Sequence, residues 1–496
     1  MNLFQTMDLL LQDWKGVFAQ DRTFARVRRL TYGQLLSAPR HTTSAAICTI
    51  GRQFLDWSAD YRAFSRSPWD SQVLFDPVID HAITLLPPHP APVIAAIDDT
   101  TCKKSGRRIP GVSTVRDPQS PPYHVNLIRG LRFVQASLTI APLHGKGPAR
   151  ALPVRFQPAP PVPKPKKNAP ASQLEEFRKR KKAFSLAKIG LSTVTGLRQA
   201  LDERPDTLLR QLLITADGSY TNQVLLKSLP PRTTLIGRIR QDADLHLPLD
   251  PITGANGRPR KYGYRAPTPR EVLSDDGVGL QQVPCFAVGQ IRTFYVKVFG
   301  PIFWRKAGHD KPLLLVVIRP VGYRLRKGSK LLYREPAFLI CTDPDLDLQT
   351  IVQAYVYRWE IEVNHHDEKS VIGVAQAQTR TPKAVDRQPQ VQVAAYSLLQ
   401  LASILAHGFE RTNDYLPLPK WRSRSPRPST ADLINLLRQQ IIGHTFWADH
   451  EITFGHFVED TEPDLKWRNP LLPQAGSLDC PEIPRLEHVT GAMRPN

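Results

Sequence analysis

Four residues between Ile351 and Gly373 have types and spacing suited to handling charge: Tyr355, Arg358, Glu362 and Lys369. The spacing predicts one helix over that stretch, on which the four fall within about 60° of one another around the axis. A carboxylate is then bracketed by a guanidinium, an amine and a phenol. Val352, Val356, Trp359 and Val363 form an adjoining apolar stripe suited to packing on a sheet. Taken alone, such a helix also reads as amphipathic with a solvated charged face. Two apolar runs shift the balance. Val93–Asp98 (VIAAID) leads into Asp98-Asp99-Thr100-Thr101, and Leu212–Ala216 (LLITA) leads into Asp217-Gly218-Ser219. Both read as buried strands that deliver an aspartate at their C-terminal ends. Two strand-end aspartates and a helical glutamate gather three hard oxygen donors, the set that suits Mg²⁺ or Mn²⁺. Without a cation they would repel one another. Asp98 and Asp99 point to opposite faces of a strand, so only one of them is the main ligand.

The pattern Tyr355-x2-Arg358-x3-Glu362-x6-Lys369 resembles the Y-x2-R-x3-E-x6-K signature of bacterial cut-and-paste insertion-sequence transposases of the DDE type. Asp98-Asp99-Thr100-Thr101 resembles the first aspartate motif of that group, and Ala216-Asp217-Gly218-Ser219-Tyr220 the second. The likeness spans roughly Ala91 to Ala406. It implies a ribonuclease-H-like catalytic core that binds the ends of a mobile element, cuts them and joins them to target DNA by two-metal phosphoryl transfer. The implied ion is Mg²⁺, with Mn²⁺ as a substitute. The resemblance puts the catalytic aspartate immediately before the threonine pair, so Asp99 would bridge both ions, with Asp217 and Glu362 each completing one. Tyr355, Arg358 and Lys369 would hold the DNA end around the scissile phosphate. Some of this group stack an extruded base on an aromatic residue just before a strand. Phe338 of Phe338-Leu-Ile-Cys-Thr342 matches that position, although an ordinary core residue is the other reading; Trp304 is a second candidate. His365 and His366 read as surface residues. Rival readings are a catalytically silent DNA-binding descendant, a ribonuclease-H-like nuclease without strand transfer, and a basic packaging protein.

Charge agrees with a nucleic-acid partner. The 66 lysines and arginines exceed the 45 aspartates and glutamates by 21 in a chain of 496 residues. A surplus of that size points to a polyanion, and phosphate backbones are the usual one. No apolar run approaches the length of a membrane span. The five cysteines are scattered with no CxxC pair, which fits a reducing cytoplasm and neither a zinc site nor a disulfide scaffold. The resulting expectation is a cytoplasmic, nucleoid-associated bacterial protein.

Residues 1–88 read as a helical region, possible as a DNA-contacting unit, closed by Pro87-Pro88-His89-Pro90. Residues 89–233 read as the first part of the α/β core. Within them lie a basic loop, Lys103-Lys-Ser-Gly-Arg-Arg108, and a proline- and lysine-rich linker over 157–170. The stretch after the linker carries Arg178-Lys-Arg-Lys-Lys182. Residues 234–340 form a β-rich insertion, too long for a loop. Residues 341–410 hold the second part of the core with the glutamate helix, and 411–496 a basic, proline-rich C-terminal region. There Ser429–Ile442 reads as a helix with a serine cap, its apolar stripe packing on its own protomer or on a partner. Cutting two ends and joining both to one target needs two sites at fixed separation, for which a twofold homodimer is the simplest arrangement.

Overall fold

Helices come first along the chain, wherever apolar residues recur at three and four. They are α1 (Leu3–Gln12), capped by the Asn2 side chain, α2 (Asp21–Leu36), α3 (Thr43–Thr49), α4 (Ser58–Ser65) and α5 (Asp76–Ile83). The computed structural model describes residues 1–38, 40–117, 120–121, 123–124, 126–141, 147–249, 261–307, 311–324, 328–421 and 425–442. Most of the C-terminal region, including Cys480 and Arg422–Arg424 of the basic proline-rich segment, lies outside the described residues.

The strands β1 (Val93–Lys103), β2 (Ser113–Arg116), β3 (Leu127–Ile140) and β4 (Arg150–Pro158) follow. β3 pairs antiparallel with the other three. Helices α6 (Ala171–Ala183), α7 (Leu186–Asp202) and α8 (Pro205–Leu208) lead to β5 (Leu212–Ala216), which returns parallel to β1. After α9 (Gln223–Lys227), β6 (Thr233–Arg238) adds parallel to β5. Short apolar strands buried on both faces are what a parallel pair beneath helices requires. The order β4-β3-β1-β5-β6, antiparallel then parallel, is consistent with a ribonuclease-H-like core.

In the stretch expected to be a β-rich insertion, every described strand except those of one small hairpin joins the central sheet. Beyond α10 (Pro269–Ser274) come β7 (Leu280–Ala287), β8 (Gln290–Ile302) and β9 (Leu313–Ile318). A small hairpin, β10 (Gly322–Tyr323) with β11 (Leu332–Tyr333), precedes β12 (Ala337–Cys341). The central sheet continues from β6 through β12, β9 and β8 to β7, so it reaches ten strands. α11 (Leu348–Tyr357) lies over β5 and β7. There the Gln353 side chain occupies both backbone groups of Phe286 at 2.7 and 3.1 Å, closing the edge strand to further pairing.

α12 (Trp359–Ser370) lies over β1 and β4. The single helix expected over this stretch is therefore two. At Arg358 the backbone N–H is shared between the carbonyls of Ala354 and Tyr355, 3.2 Å from each, and Ile361 N returns to Arg358 O. This tightened turn changes which side faces the sheet. The buried residues are Ile351, Val352, Ala354, Tyr357, Ile361, Asn364, His365 and Glu368, whereas Trp359 is 54% exposed. The first half of the expected stripe packs, Val352 fully buried and Val356 against the same cluster, but Trp359 turns outward after the break, and His365, read as a surface residue, is buried; only His366 is exposed.

α13 (Pro382–His407) is buried along nearly its whole length and ties the halves together. It packs on β4, on α1, α2, α4 and α5, and on α14 (Thr430–Ile442), so the N-terminal helices share one apolar core with the sheet. α14 has the expected cap: Ser429 Oγ receives Asp432 N at 3.3 Å, and Asp432 accepts from Ser429 N at 2.8 Å. Its stripe, Leu433, Leu436, Leu437 and Ile441, is buried against α1, α2 and α13. That face is used within the protomer and is not free for a partner. Among the described residues no helix is long and apolar enough to cross a membrane.

Candidate active site

The register of the two parallel strands puts two acids side by side. Ile97 pairs with Ala216 in the last aligned position, so Asp98 and Asp217 follow as neighbours at the strand ends. Alternation along β1 then separates the two aspartates of the first motif. Ile94 joins the apolar cluster of Ile351, Val352 and Ala354 under α11, and Cys102 lies near Glu368 and Lys369 of α12. Asp98 shares their parity and faces α11 and α12. Asp99 shares the parity of Ile97, which packs towards Gly190 of α7. On that opposite side the Tyr220 hydroxyl donates to Asp99 Oδ1 at 3.1 Å. Gly190 allows this fit, since a Cβ there would come within 2.6 Å of the Tyr220 ring.

The electrostatics follow the same division. Burial, then the charge of Asp217, pushes the Asp98 carboxyl up to about 7, and Arg358 opposes the shift. Burial also raises Asp99, while Arg132 and the Tyr220 hydroxyl pull it down. Arg358 Nη2 meets Glu362 Oε1 at 2.7 Å, and its guanidinium stands 5.8 Å from the Tyr355 ring centre. Burial works against the charge of Arg358, but Tyr355, Glu362 and Asp98 outweigh it. Asp98, Asp217, Arg358 and Glu362 thus gather on one face, with Lys369 exposed at the end of α12. The bridging role expected of Asp99 has no geometric support, because its carboxyl is turned to the α7 side.

Among the described residues no three acidic, histidine or cysteine side chains converge closely enough to hold an ion in this arrangement. The chemistry of the donors nevertheless fits a divalent cation. Asp98 and Asp217 are paired hard donors whose mutual repulsion a cation would relieve, and Glu362 uses one oxygen on Arg358. A pH-dependent prediction follows. In the metal-free protein Asp98 is pushed from 3.8 to about 7, so its share of stability falls as pH rises through that window. Buried Glu368, pushed up to about 8, acts with the same sign. A cation binds only the ionised form of Asp98. The rise in melting temperature on adding Mn²⁺ is therefore expected to be small at pH 5.5, larger at pH 8, and lost in Asp98→Asn. An equal rise at both pH values would remove Asp98 from the ion site.

Phe338 is 5% exposed and belongs to the main apolar core, between the neighbouring strands β6 and β9. Its ring is not on the surface where an extruded base would stack, so the core reading holds. Trp304 is partly buried against the same core. Sequence reasoning passed over three residues that position the site. Asn364 Nδ2 donates to Ser137 Oγ at 3.2 Å and to Ala151 O at 3.0 Å, bolting α12 to β3 and β4. Tyr220 fixes Asp99, and its place as the last residue of the second aspartate motif was the available signal. Lys104, 5% exposed, donates through Nζ to Ala375 O and, at 2.6 Å, to Ala377 O. That fastens the end of β1 to the loop after α12.

An acid pair at the ends of parallel strands, beneath a helix that offers a carboxylate and an arginine, has the hard-donor chemistry that a divalent cation takes. A family model described as DDE superfamily endonuclease matches residues 18–282, more than half of the chain, and the chain belongs to that family. The match covers Asp98, Asp99 and Asp217 and ends before Glu362. No curated protein matches the chain. Endonucleases of this kind use divalent metal ions and act on DNA, so the function is of the transposase and nuclease type.

Proposed function

We propose that the protein is a DDE transposase that binds the ends of its own mobile element, cuts them and joins them to target DNA. The observation that carries this reading is the register of Asp98 beside Asp217 on the face covered by α12, where Arg358 holds Glu362. In this reading Asp98, Asp217 and Glu362 hold the divalent ions, Mg²⁺ with Mn²⁺ as a substitute. The ions supply Lewis-acid stabilisation of an in-line displacement at phosphorus. The chain's own groups bind and orient the DNA. The planar fork of Arg358 suits bidentate grip of a phosphate, Lys369 acts as a mobile point charge, and the Tyr355 hydroxyl donates to a phosphate oxygen. Asp99 serves from the opposite side by keeping Tyr220, and with it the end of β1, in place.

DNA beyond the site would meet α6. It presents Arg178 to Lys182 and buries no side chain, as a segment would whose partner is a polyanion outside the protomer. In the basic segment Trp421–Arg427, Arg427 is instead engaged with Glu360 at 2.7 Å. We propose a homodimer in the DNA complex, one site per end.

The test uses duplexes that carry the DNA flanking the gene's own coding sequence, in single-end and paired-end form, with a supercoiled target and Mg²⁺. Cutting at the ends, with joined product from the paired substrate, is expected. Binding should weaken steeply with salt, with a log–log slope of several ions. Cutting without joined product would leave a nuclease, and metal-independent binding without cutting would leave a silent DNA-binding protein.

A further inference from the structure

Beyond the carboxylates, β1 runs into a concave surface that the proposed chemistry does not use. Two adjoining hollows, of about 420 and 730 Å³, share Ser105 and Gln378. Arg107, Arg108 and Arg380 line the first, and Arg40, Lys103, Lys104 and Arg129 the second; among the described residues no acidic one lines either. Among the described residues the only ion pair formed by these seven cations joins Lys103 to Asp117, at 3.6 Å. Like charges are normally spread over a surface or paired, so seven of them around one concavity create a focused positive field. A solvated hairpin tip would not need walls, yet this surface is built. Gln378 Oε1 receives Gly106 N at 3.2 Å and Ser105 Oγ at 3.4 Å, and Gln376 Oε1 receives His41 N at 2.9 Å. Lys104 closes the floor through the carbonyls of Ala375 and Ala377. At Gly106 a Cβ would fall 2.7 Å from Ile109 Cδ1, so the loop is held close to its own base.

The two walls are continuous with the two elements that carry the acids. One is β1, which holds Asp98 five residues before Lys103; the other is the loop that follows α12, which holds Glu362 and Lys369. Five strand residues span roughly 16 Å. Measured along the axis of a duplex lying beside β1, that distance is the rise of roughly five base pairs, at 3.4 Å each.

We propose that this basic hollow grips the phosphodiester backbone of the DNA next to the cut, about five nucleotides from the scissile phosphate. The inference rests on the transposase reading for the position of the cut. It rests on the hollow alone for the chemistry of the ligand. The size, the charge and the two-walled form fit successive phosphates of one strand better than one small anion, which would leave most of the cations unused.

The test measures binding of a fluorescein-labelled 30-bp duplex of arbitrary sequence over a salt series. For the wild type the slope of log K against log salt includes the hollow. In the triple variant Arg107→Ala/Arg108→Ala/Arg380→Ala it should fall by about three, and the corresponding Arg→Lys variant should recover most of it. Among the described residues none of the three has an ion-pair partner, so melting temperatures should stay near wild type. A photo-crosslinking side chain in place of Arg108 should become joined to the duplex. An unchanged slope, or a crosslinking residue that never captures DNA, overturns the proposal while leaving the carboxylates and the cutting assay untouched. Saturation of the hollow by inorganic phosphate without loss of duplex binding would make it a small-anion pocket and overturn it equally. Loss of cutting by Glu362→Gln with the slope retained would separate the two sites in the other direction.

Discussion

Asp98→Asn is expected to abolish Mg²⁺-dependent cutting, by about 10³-fold or more (~4 kcal/mol of transition-state stabilisation), while Asp99→Asn stays within about tenfold of wild type. The two changes are equal in chemistry and differ only in the side of β1 they alter. On the α12 side, Asp98 stands beside Asp217 with its carboxyl pushed up to about 7 by burial and that neighbouring charge. Its Oδ1 accepts from Asp99 N at 2.8 Å, and an asparagine oxygen retains that bond. What disappears is the charge available to a cation. Removing a buried and repelled charge should leave the metal-free protein at pH 8 at least as stable as wild type, so a dead enzyme could not be blamed on unfolding. On the α7 side, an asparagine at 99 still accepts from the Tyr220 hydroxyl. Cutting and joining assays together with melting curves at pH 8 decide the matter. A dead Asp99→Asn beside an active Asp98→Asn would reverse the face assignment and return the ion to Asp99.

The exchange of roles proposed for Asp98 and Asp99 shows where sequence reasoning stops. VIAAID and LLITA are legible because strands buried on both faces must be short and apolar, and the aspartate that ends each run stands out against them. The Tyr355–Lys369 spacing is legible because helical periodicity needs no tertiary information. The choice between Asp98 and Asp99 is of another kind. A shift of one residue exchanges the faces of a strand, and the winning face depends on where α12 lies, some 260 residues later. The turn at Arg358 was hidden for the same reason. Nothing in YVYRWEIE breaks a helix, and the backbone tightens where α11 ends over β5 and β7 and α12 begins over β1 and β4. His365 was misplaced, and the choice left open at Phe338 went to the core, because burial belongs to the sheet and helices that cover them. The glutamines of α13 give the converse case. Gln388, Gln390, Gln392 and Gln400 look solvent-facing in sequence but are all buried, and Gln392 holds Ala375 N at 2.9 Å in the loop beside Lys104. A buried amide that satisfies a loop backbone leaves no periodic trace.

Glu362→Gln should also cost about 10³-fold or more in cutting, with duplex affinity unchanged within about threefold. Glu362 is 35% exposed and Arg358 13%, so their 2.7 Å pair sits at the rim of the site, open to DNA and solvent. A glutamine keeps an oxygen for Arg358 and nearly the same volume, so the turn between α11 and α12 should survive. The variant loses the anionic donor that the site needs opposite Asp98 and Asp217. Arg358→Ala is the informative companion. It frees Glu362 from its partner yet removes the fork proposed to grip phosphate, so it should weaken binding of the end as well as cutting, whereas Glu362→Gln should spare binding. The two variants are compared by single-turnover cutting in Mg²⁺ at saturating protein and by affinity for the same end duplex. If Glu362→Gln cuts at the wild-type rate, the third carboxylate lies elsewhere in the chain. Buried Glu368, one turn and a half further along α12, would then be the next acid to replace.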